Sequence, residues 1–312
     1  MGQVHQLVLN FGKERAQQLA GSDVEPRLLD IASKVLAEES QAIGITYAGF
    51  CLTSLPHRRL PDDQVWKRAS RRLTLMIEPG RLPQGERLYG VPYGSRARLI
   101  LLYLQTTAIK TNSPEIELGR SMRDWMGRMG VSLGGKSYHD VREQANRLSA
   151  CRLTFSWEEG SDINFIRDSV VAGGLQSFES IEDERSGERT IRLMRLSASF
   201  YEQLRKHPVP IWEPALSYIA NQSMAIDVYI WLSYRLHCLS QRTPISWAAL
   251  HGQFGAGFKH LPQFKAHFRQ AVNTACAVYP DARVDVQEAG LVLHPSRPPV
   301  PGKNVIALSG HR

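Results

Sequence analysis

One series of local signals occurs twice in this 312-residue chain: an apolar helix, a short strand, a helix closed by glycine, a turn, a longer amphipathic helix and a β-hairpin. In the first pass, residues 95–110 read as a helix with Leu99, Leu102, Tyr103 and Ile109 on its apolar stripe, and Ile116 and Leu118 flank Glu117 in a short strand. Residues 119–129 return to helix, with Met122, Trp125, Met126 and Met129 inward and Gly130 as the natural stop. Residues 136–149 follow as a helix held by Tyr138, Val141, Ala145 and Leu148, and RLTFSW and INFIRD form a hairpin. The second pass sets helices at 222–239, 247–254 and 262–278, an extended segment at 244–246, and the strands ARVDV and LVLHP around the turn QEAG. Gly130 and Gly255, and Cys151 and Cys276, are the same 125 residues apart, which supports two copies of one unit. This element order is that of a winged helix, so the predicted class is α+β with two tandem winged-helix domains.

Around the two copies the reading is simpler. Residues 27–39 place Leu28, Leu29, Ile31, Ala32, Val35 and Leu36 on one helical face. A helical stretch is expected at 64–70 and a strand at 72–77, before Pro79, Gly80, Pro83 and Gly85 break the chain. The polar turn EDERSGE and the β-rich TIRLMRLS read as the end of the first domain and a linker, followed by a helix at 199–206 and a Pro-broken joint at 207–214. The expected division is an N-terminal helical extension, 1–54, winged-helix domains at 55–206 and 207–295, and a flexible tail, 296–312.

Charge is distributed unevenly. Residues 51–152 hold 18 Lys and Arg against 9 Asp and Glu, and the rest of the chain holds 20 against 21, so the formal surplus of +8 lies in one third of the sequence. Such a segment suits a polyanion. The four cysteines, Cys51, Cys151, Cys238 and Cys276, are far apart and form no C-x-x-C pair, which argues against a zinc ribbon or a disulfide framework and for reduced thiols in a cytoplasm. No basic-then-apolar leader and no apolar run approaching a membrane span is found, so neither secretion nor a membrane partner is expected.

With Val141, Ala145 and Leu148 inward, the helix at 136–149 turns Lys136, His139, Glu143 and Asn146 outward and flanks them with Arg142 and Arg147. Arg can read guanine and Asn adenine in the major groove of double-stranded DNA, and Lys136 and Ser137 stand at the helix start, where phosphates bind. In the second copy Phe264, Phe268, Ala271, Val272 and Ala275 face inward, leaving Lys265, Arg269, Gln270 and Asn273 outward behind Lys259 and His260. Arg152 at the hairpin and the segment Arg58, Arg59, Lys67, Arg68, Arg71 and Arg72 are candidates for phosphate contacts, unless they pair with Asp62, Asp63 or Glu78.

Sharper motifs fall away. Gly130–Ser137, GVSLGGKS, matches the spelling of a nucleotide phosphate loop, but it follows an amphipathic helix rather than a buried strand, and no later apolar strand ends in Asp to hold Mg²⁺. The ten histidines form no His-x-His pair and no H-E-x-x-H, and the Glu158/Glu159 and Glu182/Asp183/Glu184 runs lie in turns. No catalytic set, metal or cofactor is expected.

The stretches LPHR (55–58), RLTLMIEPG (72–80), YGVPYGSRARLILLYLQTTAIKTNSPEIELGRS (89–121) and GGKSYHDVREQANRL (134–148), in this order and spacing, resemble the plasmid-encoded RepA-type replication initiators, the IncW-like group among them. Arg96-Ala97-Arg98 departs from that pattern, where a proline-containing form is expected. The resemblance implies initiation of plasmid replication by binding repeated origin sites (iterons), opening of adjacent A·T-rich DNA, recruitment of a host initiator and helicase, and a dimeric form that governs copy number. By position it carries over Lys136, Arg142, Gln144, Asn146 and Arg147 as DNA-facing residues. A winged-helix transcription regulator or autorepressor is the other reading that the residues allow.

Overall fold

The computed structural model describes residues 2–21, 24–70, 73–83, 85–159, 162–173 and 192–300. The EDERSGE turn, Arg71, Arg72, the Glu182–Glu184 run and the tail beyond Val300 lie outside them. The fold mixes α and β, with antiparallel sheets. It divides into two compact units, one spanning 45–208 and the other combining 1–44 with the chain from Val209 onward. The sequence alone sets 1–54 apart as an extension.

In the unit 45–208, helix Gly94–Lys110 is buried on nearly every side, as its Leu-Ile-Leu-Leu run requires. Strand Glu115–Gly119 pairs with Arg192–Leu196, which in turn pairs with Val171–Gly173, giving a three-stranded antiparallel sheet. Within the β-rich stretch read as the end of the first domain and a linker, Arg192–Leu196 is therefore the central strand of that sheet. Met194 and Leu196 alternate inward at period two, and the pairing joins segments far apart in sequence, which local patterns do not reveal. Helix Met122–Arg128 begins at Ser121, whose hydroxyl accepts from the Asp124 N–H at 3.1 Å, and buries Met122, Trp125 and Met126.

The hairpin Arg152–Glu159 and Asp162–Asp168 follows its helix as expected, but it does not stand alone. It extends a four-stranded sheet through Leu73–Glu78 to the edge strand Trp66–Ala69, with Leu75 opposite Phe155 and Ile77 opposite Leu153. Leu73, Leu75 and Ile77 are buried on one face with Leu153 and Phe155; Tyr47 and Phe50 meet Phe155 edge to face at ring distances of 5.1 and 5.2 Å, and Phe200 in turn meets Tyr47 at 5.8 Å and Phe50 at 6.3 Å. The segment 64–70, expected to be helical, is that edge strand. Its residues alternate between half-buried and exposed, and its backbone groups find partners along Leu73–Glu78.

In the other unit the expected elements appear in order: helix Ser223–Arg235, strand Thr243–Ser246, helix Trp247–Phe254, helix Leu261–Ala277, and a hairpin of Val284–Val286 and Gly290–Leu293. The strand Thr243–Ser246 pairs with Gly290–Leu293, which pairs with Val284–Val286. A side chain at Gly290 would lie 1.9 Å from the Ile245 carbonyl oxygen, so only glycine lets these strands approach. Helices Gln3–Ala20, kinked at Gly12, and Pro26–Ala37 pack into the same unit. The Gly2 N–H donates to Pro280 O at 3.1 Å, His5 Nε2 bonds Ala277 O at 2.9 Å, and the apolar face of 26–37 is buried.

Candidate nucleic-acid interface

Helix Gly135–Ala150 opens at Gly134 with no side chain capping it, after a loop in which Gly130 takes a positive φ of 65° and Val131 is buried, its N–H bonded to Met126 O at 2.9 Å. The GVSLGGKS segment thus joins two helices, the wrong setting for a nucleotide phosphate loop. Lys136 and His139 are exposed, Ser137, Arg142 and Asn146 are half-buried, and Arg152 just beyond the helix is exposed. The uncapped first-turn N–H groups and Lys136 together present positive potential at one end of the helix.

Arg147 does not belong to this face. It is fully buried, and its guanidinium donates to Asp62 Oδ1 at 2.7 Å, to Glu143 Oε1 at 2.9 Å and to the Val91 carbonyl at 3.2 Å, with its Cζ 5.3 Å from the Tyr93 ring centroid. Arg87 reaches the same Glu143 at 3.2 Å, and Arg59 holds the other Asp62 oxygen at 2.9 Å. Gly90 is what lets this pass. A Cβ there would lie 2.7 Å from both Arg147 Nη1 and Asp62 Oδ1. Burial alone would raise the Asp62 carboxyl, but the hydrogen bonds and charges of Arg147 and Arg59 outweigh it and hold it below the usual range. A helical wheel turns Arg147 to the flank of the outer face, but the loops 59–62 and 87–93 fold over that flank. Gln144, carried over by the family resemblance as DNA-facing, is likewise buried and accepts the Tyr93 N–H at 2.8 Å.

The family-like LPHR and SRAR stretches meet through Arg98. Its guanidinium donates to Leu55 O at 2.7 Å, Gly94 O at 2.8 Å and Pro56 O at 3.1 Å, and lies 3.4 Å from His57 Nδ1. Burial first, then Arg98, Arg68 and Arg58, holds the His57 ring well below its ordinary pKa and so uncharged. Arg98 thus clamps the loop that presents Arg58. Arg58 and Lys67 are exposed, Arg68 is half-buried with its Cζ 5.7 Å from the Trp66 ring centroid, and Arg59 is taken by Asp62.

On helix Leu261–Ala277 the inward set is as expected, and Lys259, Arg269, Gln270 and Asn273 are exposed with Lys265 half-buried. The surface is narrower than the sequence indicates. Gln270 donates to Glu25 Oε1 at 3.4 Å, Thr274 and Ala277 are buried, and His5 bonds the Ala277 carbonyl, so the N-terminal helices cover the C-terminal part of this helix on that side. Its N-terminal half stays open, with Lys265 and Arg269 over the Trp247 ring. Neither Glu25 nor Trp247 carries a local signal of such a role. Both act across long sequence separations.

Among the described residues, no group of three or more His, Cys, Asp or Glu is placed to hold a metal ion, and no helix is long and apolar enough to cross a membrane. Burial pushes the Cys151 and Cys276 thiols up to about 12 and Cys51 further, and Cys238 is exposed.

Residues 91–248 match the family model described as the plasmid-encoded RepA protein. Among solved structures, the chain is similar to the crystal structure of RctB domains 2–3, at 12% identity over 78% of this chain and 94% of that one, with a TM-score of 0.50. It is also similar to a selenomethionine form of domain 2 and domain 3 of RctB, at 11% identity over 80% and 95%, with a TM-score of 0.48. The first likeness bears on fold alone. None of the curated proteins matches this sequence.

Proposed function

The chain belongs to the family of plasmid-encoded RepA proteins, and on that premise we propose that it initiates plasmid replication by binding double-stranded DNA at repeated origin sites through two winged-helix units. The observation that carries this reading is the sheet order common to both units. In each, the strand after the first helix pairs with the last strand of the unit's hairpin-like pair: 115–119 with 192–196, and 243–246 with 290–293. A helix with Lys, Arg and Asn on its exposed or half-buried face follows in each unit, in the order expected of a reading helix. Arg142 and Asn146 on one helix, and Arg269 and Asn273 on the other, are suited to base edges. Lys136, Ser137, His139, Arg152, Arg58, Lys67, Lys259 and Lys265 are suited to phosphates, and Gln270 lies at the covered margin of its face. The action is binding and deformation of DNA rather than covalent chemistry, in the cytoplasm, with a host initiator and helicase as partners and a homodimer as the silenced form.

The test is a gel shift with DNA from upstream of the chain's own coding sequence at two salt concentrations, with footprinting of the shifted complex. A ladder of protection over direct repeats, weakening steeply with salt, is expected. Protection of a single inverted repeat at a promoter would favour the autorepressor reading, and the lack of any specific footprint would overturn both.

A further inference from the structure

We propose that Trp247 is a positioning residue for the DNA contact of the unit formed by 1–44 and the chain from Val209 onward, locking the hairpin turn and the basic edge of helix Leu261–Ala277 into one arrangement. This rests on the reading of that unit as a DNA-binding winged helix. Trp247 is 3% exposed, and three successive carbonyls of the turn converge on it. Its indole N–H is shared between Glu288 O at 2.9 Å and Gln287 O at 3.2 Å, and its backbone N–H donates to Ala289 O at 3.2 Å. The same ring has Arg269 Cζ 5.3 Å and Lys265 Nζ 5.7 Å from its centroid, while Phe268 meets it edge-on at 6.4 Å.

A tryptophan serving only as core needs one acceptor for its N–H and apolar neighbours for its faces. Here both kinds of contact run to the two elements that a winged helix presents to DNA. Lys265 and Arg269 are one helical turn apart, and cations of this kind on flexible stems lose side-chain entropy when they are fixed on a phosphate. Resting them on the face of an indole restricts them beforehand without neutralising them, and tryptophan is the aromatic that does so best. The turn cannot shift to compensate, because the Gln287 N–H bonds Gly290 O at 2.8 Å and Gly290 sits against the Ile245 carbonyl with no room for a side chain. One residue therefore sets the spacing between helix and hairpin.

Trp247→Phe keeps an aromatic face and removes the indole N–H, and it is compared with the wild-type full chain in two measurements. In the free protein, hydrogen exchange at the Gln287 amide is expected to speed up, and unchanged exchange would overturn the strut whatever happens with DNA. With a mixed-sequence DNA duplex as probe, the slope of log affinity against log salt is expected to flatten by about 1 for each phosphate that the chain no longer neutralises. Arg269→Ala is expected to weaken binding less in the Trp247→Phe background than in the wild type. Faster exchange with an unchanged slope and an undiminished Arg269→Ala effect would leave Trp247 a structural residue and overturn the proposal. A wild-type chain that binds no duplex would overturn the DNA reading itself, and that failure is seen without any variant.

Discussion

Arg147 shows what burial does to the role of a charged side chain. On a helical wheel it flanks the outer face beside Arg142. In the fold it is fully buried and ties three segments together through Asp62, Glu143 and the Val91 carbonyl. Removing one partner of a buried pair leaves the others uncompensated. Arg147→Ala is therefore expected to destabilise the unit 45–208 by about 3 kcal/mol, the low end of that range because Asp62 keeps some contact with water. Lysine is expected to rescue little, since it cannot supply three diverging donors from one plane. Urea denaturation of the variants checks this, and an unchanged midpoint for Arg147→Ala would return the residue to the surface set.

The helix Gly135–Ala150 separates positioning from reading along its own length. Val141, Ala145, Leu148, Gln144 and Arg147 hold it in place, while Lys136, His139, Arg142 and Asn146 retain exposure. Replacing two residues of the second set leaves the core packing untouched. Arg142→Ala combined with Asn146→Ala is expected to abolish the specific footprint, at about 1–3 kcal/mol of discrimination for each base that is no longer read, while leaving the thermal midpoint within a few degrees of wild type. A footprint of undiminished sharpness in that double variant would mean that the reading is done elsewhere.

Carboxylates held by cations occur in both units and give the whole molecule a common response to acid. Hydrogen bonds from Lys13 and Lys34 lower Asp30. The Arg120 N–H and the Arg128 guanidinium lower Asp124, and Arg147 and Arg59 overcome the effect of burial at Asp62. Each group binds its proton less readily folded than unfolded, so its stabilisation is complete above the unfolded pKa of about 3.9 and is lost as pH falls through the lower folded values. The urea midpoint is expected to decline first as pH falls through about 6.5, where the unfolded chain takes up protons that His57 and His5 refuse when buried, and to fall further below about pH 4 as these carboxylates protonate. In Asp62→Asn it should start lower and fall less. A midpoint unchanged down to about pH 3 would show that these pairs contribute nothing.

Much of the molecule is legible in its sequence. Periodicity and stop signals locate the helices 94–110, 122–128, 135–150, 247–254 and 261–277, because a helix declares its buried face within its own few turns. They locate the hairpin at 284–293 for the same reason, since its two strands are joined by a short turn. The local excess of Lys and Arg in 51–152 already points to a polyanion, and the stretches at 55–58, 72–80, 89–121 and 134–148 already carry the resemblance to the family. What only the tertiary structure decided depends on partners distant in sequence. The pairing of 192–196 with 115–119, the joining of 152–168 to 66–78, and the burial of Arg147 under loops 59–62 and 87–93 are of this kind. So are the cover that the N-terminal helices lay over Gln270 and the place of Trp247 between helix and turn. A strand's apolar alternation states that it has a buried face without naming its neighbour, and a charged residue's exposure depends on which loop crosses it. Both are set by contacts between segments that the linear pattern leaves independent.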